Sequence, residues 1–237
     1  MWKLFKFIVK LITAFIILSI LQVLILKWMP FWLTPLNIKR AIEMRDDKSF
    51  HIRKKWVPLE EISPNMIKAV IASEDNLFMV HRGFDWNSIE KELDKKKNSG
   101  KRVRGCSTIS QQTAKNAFTF GGRNLARKAI EAYYTFLIEK IWGKRRIMEV
   151  YLNIIEMGRG IFGAEAAAEQ LFGKSAAKLS LNESALIAAC LPNPQQRNAA
   201  KPTSYLRKRQ GQIVALVPKI DFKFLKEWEK SPNIKNK

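Results

Sequence analysis

The sequence predicts an all-α protein in which one N-terminal transmembrane helix precedes a helical domain. Three observations predict this class: a long apolar N-terminal run, frequent helix-capping signals, and little of the period-two alternation typical of half-buried strands. The length of 237 residues allows one domain plus an appendage. A hydrophobic share of 47% excludes a wholly disordered chain.

The N-terminal run is long enough to cross a bilayer. Residues 11–26 are almost uninterruptedly apolar, and apolar side chains continue on both sides past Lys10 and Lys27. About 20 such residues span the hydrocarbon core. A cleaved signal peptide is the alternative, but the run exceeds the usual apolar segment of about 7–15 residues, and no A-x-A site follows it.

The flanks of this run divide the N-terminal region. Tryptophans at both ends are typical of membrane interfaces: Trp2, Trp28 and Trp32. Basic residues are nearly balanced across the span, so the positive-inside rule favours neither orientation. We assign residues 1–33 to a short stub and a single transmembrane helix, and residues 34–55 to a juxtamembrane linker.

Capping signals delimit the helices that follow. Polar residues that accept from exposed backbone N–H groups mark their starts: Ser63 with Pro64, Asp85, Asn124, Ser180 with Glu183, and Thr203. Glycines and prolines mark their ends: Gly143, Gly158, Gly173, Pro192 and Pro194. The polar stretch of residues 97–105 reads as a loop, and residues 231–237 as a frayed tail.

The charge balance favours anionic partners. With 42 Lys+Arg and 21 Asp+Glu, the formal net charge is +21. Nucleic acid, anionic lipid headgroups and a phosphorylated substrate all fit this excess. Two cysteines, Cys106 and Cys190, are too few for a disulfide framework, and two His with two Cys exclude a His/Cys metal cage.

An acidic pair, Glu74 and Asp75, follows a predicted amphipathic helix. A carboxylate at the negative end of a helix, with Phe78 and Phe84 nearby, is expected to have a raised pKa and to act as a better base. The alternative is a solvated acidic pair at a helix terminus.

Two further stretches carry polar chemistry. Residues 105–116 concentrate hydroxyls, amides and one lysine, which as a helix would present a surface suited to a sugar or phosphate, or simply a polar face. Arg127 and Glu131 stand four residues apart. They form either an exposed salt bridge or an inward glutamate held among cations.

Three motifs together resemble one family. They read E-D-x-x-F-x-x-H-x-G-F-D at residues 74–85, G-x-S-T-I-x-Q-Q-x-x-K-N at 105–116 and R-K-x-x-E at 127–131. This order resembles the lysozyme-like peptidoglycan glycosyltransferases, over roughly residues 56–215. The resemblance implies a lysozyme-like helical domain over residues 56–237. It also implies that lipid II is polymerised into β-1,4-linked glycan strands with release of undecaprenyl pyrophosphate.

The resemblance also implies residue roles and partners. Glu74 matches the general base and Glu131 the second catalytic glutamate. Residues matching or neighbouring the substrate site are Asp75, Phe78, Ser107, Thr108, Gln111, Gln112, Lys115, Asn116, Arg123, Arg127 and Lys128. The implied partners are lipid II, the lipid-linked glycan, the membrane and other cell-wall synthesis proteins, with no nucleic acid. No cofactor is assigned, and a divalent cation (Mg²⁺ or Mn²⁺) at the diphosphate is left open.

The implied location is the bacterial inner membrane, crossed once, with the catalytic domain in the periplasm. Two residues depart from the family pattern: Cys106 stands where a second glycine is frequent, and Arg146 where many relatives carry an acidic residue. His81 is expected to pack the loop after Glu74 rather than to transfer protons. Other classes remain as alternatives: a lytic enzyme on a related fold, a membrane-anchored nucleic-acid-binding protein, and a scaffold for cell-wall enzymes.

Overall fold

The all-α prediction is confirmed. The computed structural model describes residues 1–99, 107–120, 122 and 124–230. Eleven α-helices lie in this described part: α1 (Trp2–Leu26), α2 (Pro35–Glu43), α3 (Pro64–Glu74), α4 (Trp86–Ser99), α5 (Ile109–Phe118), α6 (Leu125–Ile141), α7 (Gly143–Ile154), α8 (Ala164–Phe172), α9 (Leu181–Cys190), α10 (Ser204–Leu216) and α11 (Phe224–Lys230). The segment 97–105, predicted as a loop, is partly helical, since α4 runs to Ser99. The rest of that segment and the tail of residues 231–237 lie outside the described residues.

Helix α1 has the dimensions of a membrane span. Its 25 residues extend about 37 Å, which exceeds the hydrocarbon thickness of about 30 Å. An 18-residue window within it has a mean hydropathy of 2.6. Nearly all of its apolar side chains are exposed, so only a lipid or protein environment would cover them.

The predicted caps form. The Ser63 hydroxyl accepts from Asn65 N, and Asn124 Oδ1 accepts from Arg127 N at 2.7 Å. Ser180 and Glu183 bond reciprocally at the start of α9. Because each cap satisfies backbone donors that the helix itself leaves unpaired, the helix starts are fixed locally.

One predicted helix end is wrong. The pattern predicts a helix continuing to Gly158, whereas α7 ends at Ile154 and a strand, β2 (Glu156–Gly158), follows. Its antiparallel partner β3 (Ile161–Phe162) pairs in parallel with β1 (Arg53–Lys54), so the order in this described sheet is β1-β3-β2. Gly160 makes the turn with φ +72°, and a Cβ there would collide with the backbone of His51.

The core is centred on α7. Every residue from 146 to 154 in this helix is buried. Helix α3 packs on α9, α9 on α10, and α5 between α6 and α7. The end of α3 lies beside the first turn of α5, and α6 packs along the same helix α5.

Candidate active site

Glu74 is the last residue of α3 and carries a shielded carboxylate. It accepts hydrogen bonds from Gln112 Nε2 at 3.0 Å and Ser73 Oγ at 3.3 Å. Desolvation raises the pKa of Glu74 above its ordinary value, although these bonds and the charge of Arg209 oppose the rise. The direction agrees with the sequence expectation, and its leading cause is desolvation.

A polar cavity of about 230 Å³ opens beside this carboxylate. The side chains around it are mostly hydroxyls and carboxylates: Ser73, Glu74, Asp75, Asp85, Ser88, Ser107 and Thr108. Such a lining suits a polyhydroxylated group more than an apolar one.

Asp75 joins the loop after α3 to the start of α5. Its carboxylate accepts from Ile109 N at 2.9 Å and from His81 Nε2 at 2.9 Å. The Gly83 N–H donates to His81 Nδ1 at 3.2 Å, so the ring proton is on Nε2. Thus His81 holds the loop, as expected, and the Asp75 carboxylate is occupied by protein donors.

Phe78 requires a correction to its assignment as a substrate contact. Its side chain is fully buried. The His81 ring meets it edge-on, and the Lys144 ammonium lies 4.6 Å from its ring centroid. Without exposed surface, Phe78 supports the loop from inside the core.

Thr108 and Gln111 form a reciprocal cap at the start of α5. Thr108 Oγ1 accepts from Gln111 N at 3.1 Å, and Gln111 Oε1 accepts from Thr108 N at 3.0 Å. Thr108 Oγ1 also donates to Gly83 O at 2.7 Å. Both side chains, predicted to contact substrate, are buried in these bonds. The T-x-x-Q spacing of a capping box is the sequence signal that the motif analysis missed.

A second cavity, of about 390 Å³, lies along α5 and is lined by cations. Four of its lining residues were predicted to contact substrate: Gln112, Lys115, Asn116 and Arg127. Surrounding atoms desolvate the Lys115 ammonium and lower its pKa, an effect that the attraction of Glu131 opposes and the repulsion of Arg127, Lys128 and Lys39 reinforces. An anion entering this cavity would relieve that repulsion.

Glu131 points inward, as the second of the two sequence alternatives predicted. It is 2% exposed. Arg127 Nη1 donates to its carboxylate at 2.6 Å, and Lys128 Nζ donates to the other oxygen. Arg127 Nε also donates to Gly122 O at 2.8 Å, so the guanidinium is held in one orientation. A buried carboxylate paired in this way fixes the positions of two cations.

Gln112 connects the two cavities. It lines the cationic cavity, while its Nε2 donates to Glu74 and its Oε1 accepts from Tyr151 OH at 3.4 Å. The shielded carboxylate and the cations therefore lie on either side of one side chain, that of Gln112. Arg123, the remaining predicted contact, lies outside the described residues, as does Cys106.

Three further charged residues line the cationic cavity and were not predicted from the motifs: Lys39, Arg40 and Glu156. Lys39 and Arg40 belong to α2, within the segment predicted as a linker. Arg40 Nε donates to the buried Glu156 carboxylate at 2.7 Å. Thr34 and Asn37 form a capping box with Pro35 at the first helical position, a local signal that would have revealed this helix.

Potential metal ligands do not converge in the described ranges. Among residues 1–99, 107–120, 122 and 124–230, no group of three or more His, Cys, Asp or Glu side chains is placed to hold a metal ion. The cleft chemistry in this part of the chain is that of carboxylates, amides and ammonium or guanidinium groups.

Fold and cavities together define a class: an α-helical protein with a desolvated carboxylate beside a polar cavity and a second cavity lined by cations. The family model described as Transglycosylase matches residues 39–217. The chain is similar to the "Biosynthetic peptidoglycan transglycosylase" of Bacteroides thetaiotaomicron, with 49% identity over 91% of this chain and 87% of that one. The protein of that name from Bdellovibrio bacteriovorus is 43% identical over 96% of each chain.

The chain belongs to the transglycosylase family, whose enzymes polymerise the glycan strands of peptidoglycan in cell-wall synthesis. This assignment decides between the classes left open by the sequence. It accounts for the carboxylates and the cationic cavity together, which nucleic-acid binding leaves unexplained.

Proposed function

We propose that the enzyme extends a lipid-linked glycan by adding lipid II, with Glu74 as general base. The observation that carries this proposal is the bridge made by Gln112 between the Glu74 carboxylate and the cationic cavity. An inverting displacement needs a base on one side of the sugar and leaving-group stabilisation on the other. Here the Glu74 carboxylate and the cationic cavity lie on either side of Gln112.

The chemical step follows from this placement. The 4-hydroxyl of lipid II attacks the anomeric carbon of the donor sugar while Glu74 accepts the hydroxyl proton. The bond between that carbon and the diphosphate oxygen breaks, and the diphosphate leaves on its polyprenyl carrier with inversion to a β-1,4 linkage. A desolvated carboxylate with a raised pKa is a stronger base than an exposed one.

Lys115 and Arg127 stabilise the leaving diphosphate in this proposal. Preorganised cations facing a developing charge lower the barrier, and loss of one such contact costs about 10²–10³ in rate. Glu131 acts by holding Arg127 and Lys128 in place. Because Glu131 is already engaged by these cations, a divalent cation would enter with the diphosphate rather than reside in the protein.

We place helix α1 in the inner membrane and the catalytic domain on its periplasmic side. The length and hydropathy of α1 support the span. A substrate whose lipid tail stays in the bilayer meets an anchored enzyme in two dimensions, and the net charge of +21 favours an anionic membrane surface.

The test is polymerisation of purified lipid II by the detergent-solubilised full chain, beside Glu74→Gln. Glu169→Gln, which alters an exposed carboxylate paired with Lys55, is the matched control. We expect glycan strands from the parent and the control and none from folded Glu74→Gln. Product from all three would contradict the role of Glu74. Lipid II binding without product would favour a scaffold, and shortening of preformed glycan would favour a lytic enzyme.

A further inference from the structure

The C-terminal end of α1 is docked on the catalytic domain. Trp142 Nε1 donates to Val23 O at 2.7 Å. Arg146 Nη2 donates to Leu26 O at 2.9 Å and also to Met29 O. The last carbonyls of a helix lack intrahelical partners and carry the negative end of its dipole, so a guanidinium there stabilises both.

Two more hydrogen bonds extend this docking along α1. Ser19 Oγ and Tyr133 OH lie 2.6 Å apart, and Tyr134 OH donates to Gln22 Oε1 at 3.0 Å. Both tyrosines belong to α6, the helix that also carries Glu131. The end of α1 is therefore attached to the same helix that positions the cations of the cleft.

Arg146 is itself held rigidly. Its side chain is buried, its Nη1 lies 3.1 Å from the Glu149 carboxylate, and its guanidinium lies 5.2 Å from the centroid of the Trp56 ring. An ionised acidic side chain at this position would have no proton to donate to Leu26 O and Met29 O, so these contacts depend on the guanidinium.

The docked end of α1 forms one wall of an apolar groove of about 480 Å³. The opposite wall is the end of α5 with the segment that follows it. Its apolar lining includes Leu26, Met29, Leu33, Ile38, Phe118 and Phe120. Pro35 lines both this groove and the cationic cavity, so the two are direct neighbours.

We propose that Trp142 and Arg146 are positioning residues that dock α1 and thereby build a groove for the first isoprenoid units of the polyprenyl diphosphate donor. This inference rests on the proposed function, which places the diphosphate in the cationic cavity. The isoprenoid chain attached to that diphosphate must extend toward the bilayer. The groove offers apolar surface between the cationic cavity and the membrane helix. Burying successive CH₂ groups there adds binding free energy that the diphosphate alone does not have.

The test compares two inhibitors of the solubilised full chain: farnesyl diphosphate and inorganic pyrophosphate. In the parent we expect farnesyl diphosphate to bind more tightly. In Arg146→Gln, and separately in Trp142→Phe, which keeps an aromatic ring and removes the N–H donor, this preference should shrink by about tenfold while pyrophosphate binding stays unchanged. Arg145→Gln is the matched control, because Arg145 is the adjacent arginine and pairs with Glu60 instead.

Three results would overturn the proposal. The first is a parent that does not prefer the farnesyl compound. The second is an equal weakening of both inhibitors in Arg146→Gln, which indicates a general defect of the cleft. The third is a preference that survives in both variants although they fold. If the parent makes no glycan, calorimetric measurement of the binding of the two diphosphates still tests the groove. Failure of the proposed activity can therefore be told apart from failure of the groove proposal.

Discussion

Gln112 Nε2 lies 3.0 Å from Glu74 Oε2, and this bond is the main attraction that opposes the desolvation of the proposed base. The two largest influences on the pKa of Glu74 oppose each other. Desolvation disfavours the carboxylate, and the donated hydrogen bond favours it. The same Gln112 side chain borders the cationic cavity, so the protonation state of the base depends on a residue of the neighbouring site.

Replacing Gln112 by methionine should move the pH dependence of the enzyme. Methionine keeps the approximate volume but donates no hydrogen bond, so the pKa of Glu74 rises further. Because the ionised carboxylate is the base, the acid limb of kcat/KM should shift to higher pH. A pH–rate series on lipid II checks this, with Gln210→Met on α10 as the control. An acid limb that stays in place while the rate falls would assign Gln112 to substrate contact alone.

Glu74→Gln should stabilise the protein at neutral pH while removing activity. The folded pKa of Glu74 is raised above its unfolded value, so the folded state binds its proton more tightly. Stability from this group is present below the unfolded pKa and is lost as pH rises through the folded pKa. At pH 7 a neutral glutamine avoids that loss, by roughly 1 kcal/mol and about 2–4 °C in Tm.

Thermal unfolding of parent and Glu74→Gln at pH 7 and near pH 4 measures this effect. The difference should shrink at the lower pH, where the carboxyl is protonated in both states. A variant less stable than the parent at pH 7 would contradict the desolvated environment of this carboxylate.

Asp75→Asn separates a structural role from substrate binding. His81 Nε2 lies within 3.0 Å of both Asp75 oxygens, and Ile109 N donates to Oδ2. In Asp75→Asn an NH2 group replaces one of these oxygens, so that group faces the buried His81 Nε2–H or Ile109 N–H donor instead of accepting from it. An unpaired buried donor costs about 1–3 kcal/mol. We expect denaturant unfolding to show this loss, with Asp221→Asn at an exposed site as the control. A raised KM at unchanged stability would instead assign Asp75 to the substrate.

The parts of the molecule that the sequence predicts well are those determined by near neighbours. Asn124 caps α6 by bonding to a backbone N–H three residues away, and the R-K-x-x-E spacing alone allows Glu131 to gather two cations. Residues three or four positions apart are neighbours in any helix, so the sequence alone shows which of these contacts are within reach.

The contacts that the sequence left unpredicted join distant segments. Arg40 and Glu156 are 116 positions apart, and Arg146 reaches a carbonyl 120 positions away. No local pattern encodes such pairs, since they depend on how α2 and α1 pack on the finished domain. The strand after Ile154 was missed because its three residues are too few for a period-two pattern. It pairs with the nearby β3, and β3 pairs in turn with β1 from a distant segment.

Chelation tests where a divalent cation acts. Glu131 is already paired with Arg127 and Lys128, so we expect added Mg²⁺ or Mn²⁺ to act through the substrate. EDTA should then leave the Tm of the substrate-free enzyme unchanged. Any effect of added cation on the rate should reach its maximum in the concentration range in which the cation binds the diphosphate. A Tm that falls with EDTA and returns with Mg²⁺ would instead place a cation site in the protein.

Lys39 on α2 should contribute to binding of the donor diphosphate. It lines the cationic cavity, is solvent-accessible, and lies 3.6 Å from Glu43 in a loose ion pair. Its charge lowers the pKa of Lys115, so Lys39→Ala should raise that pKa while reducing the attraction for an anion. For a screened, exposed cation we expect KM for lipid II to rise about twofold to fivefold with kcat little changed.

Lys219→Ala, at an exposed site outside the cleft, is the control. Steady-state kinetics at two salt concentrations should show a weaker salt dependence in Lys39→Ala than in the control, and equal salt dependence would remove α2 from the anion site.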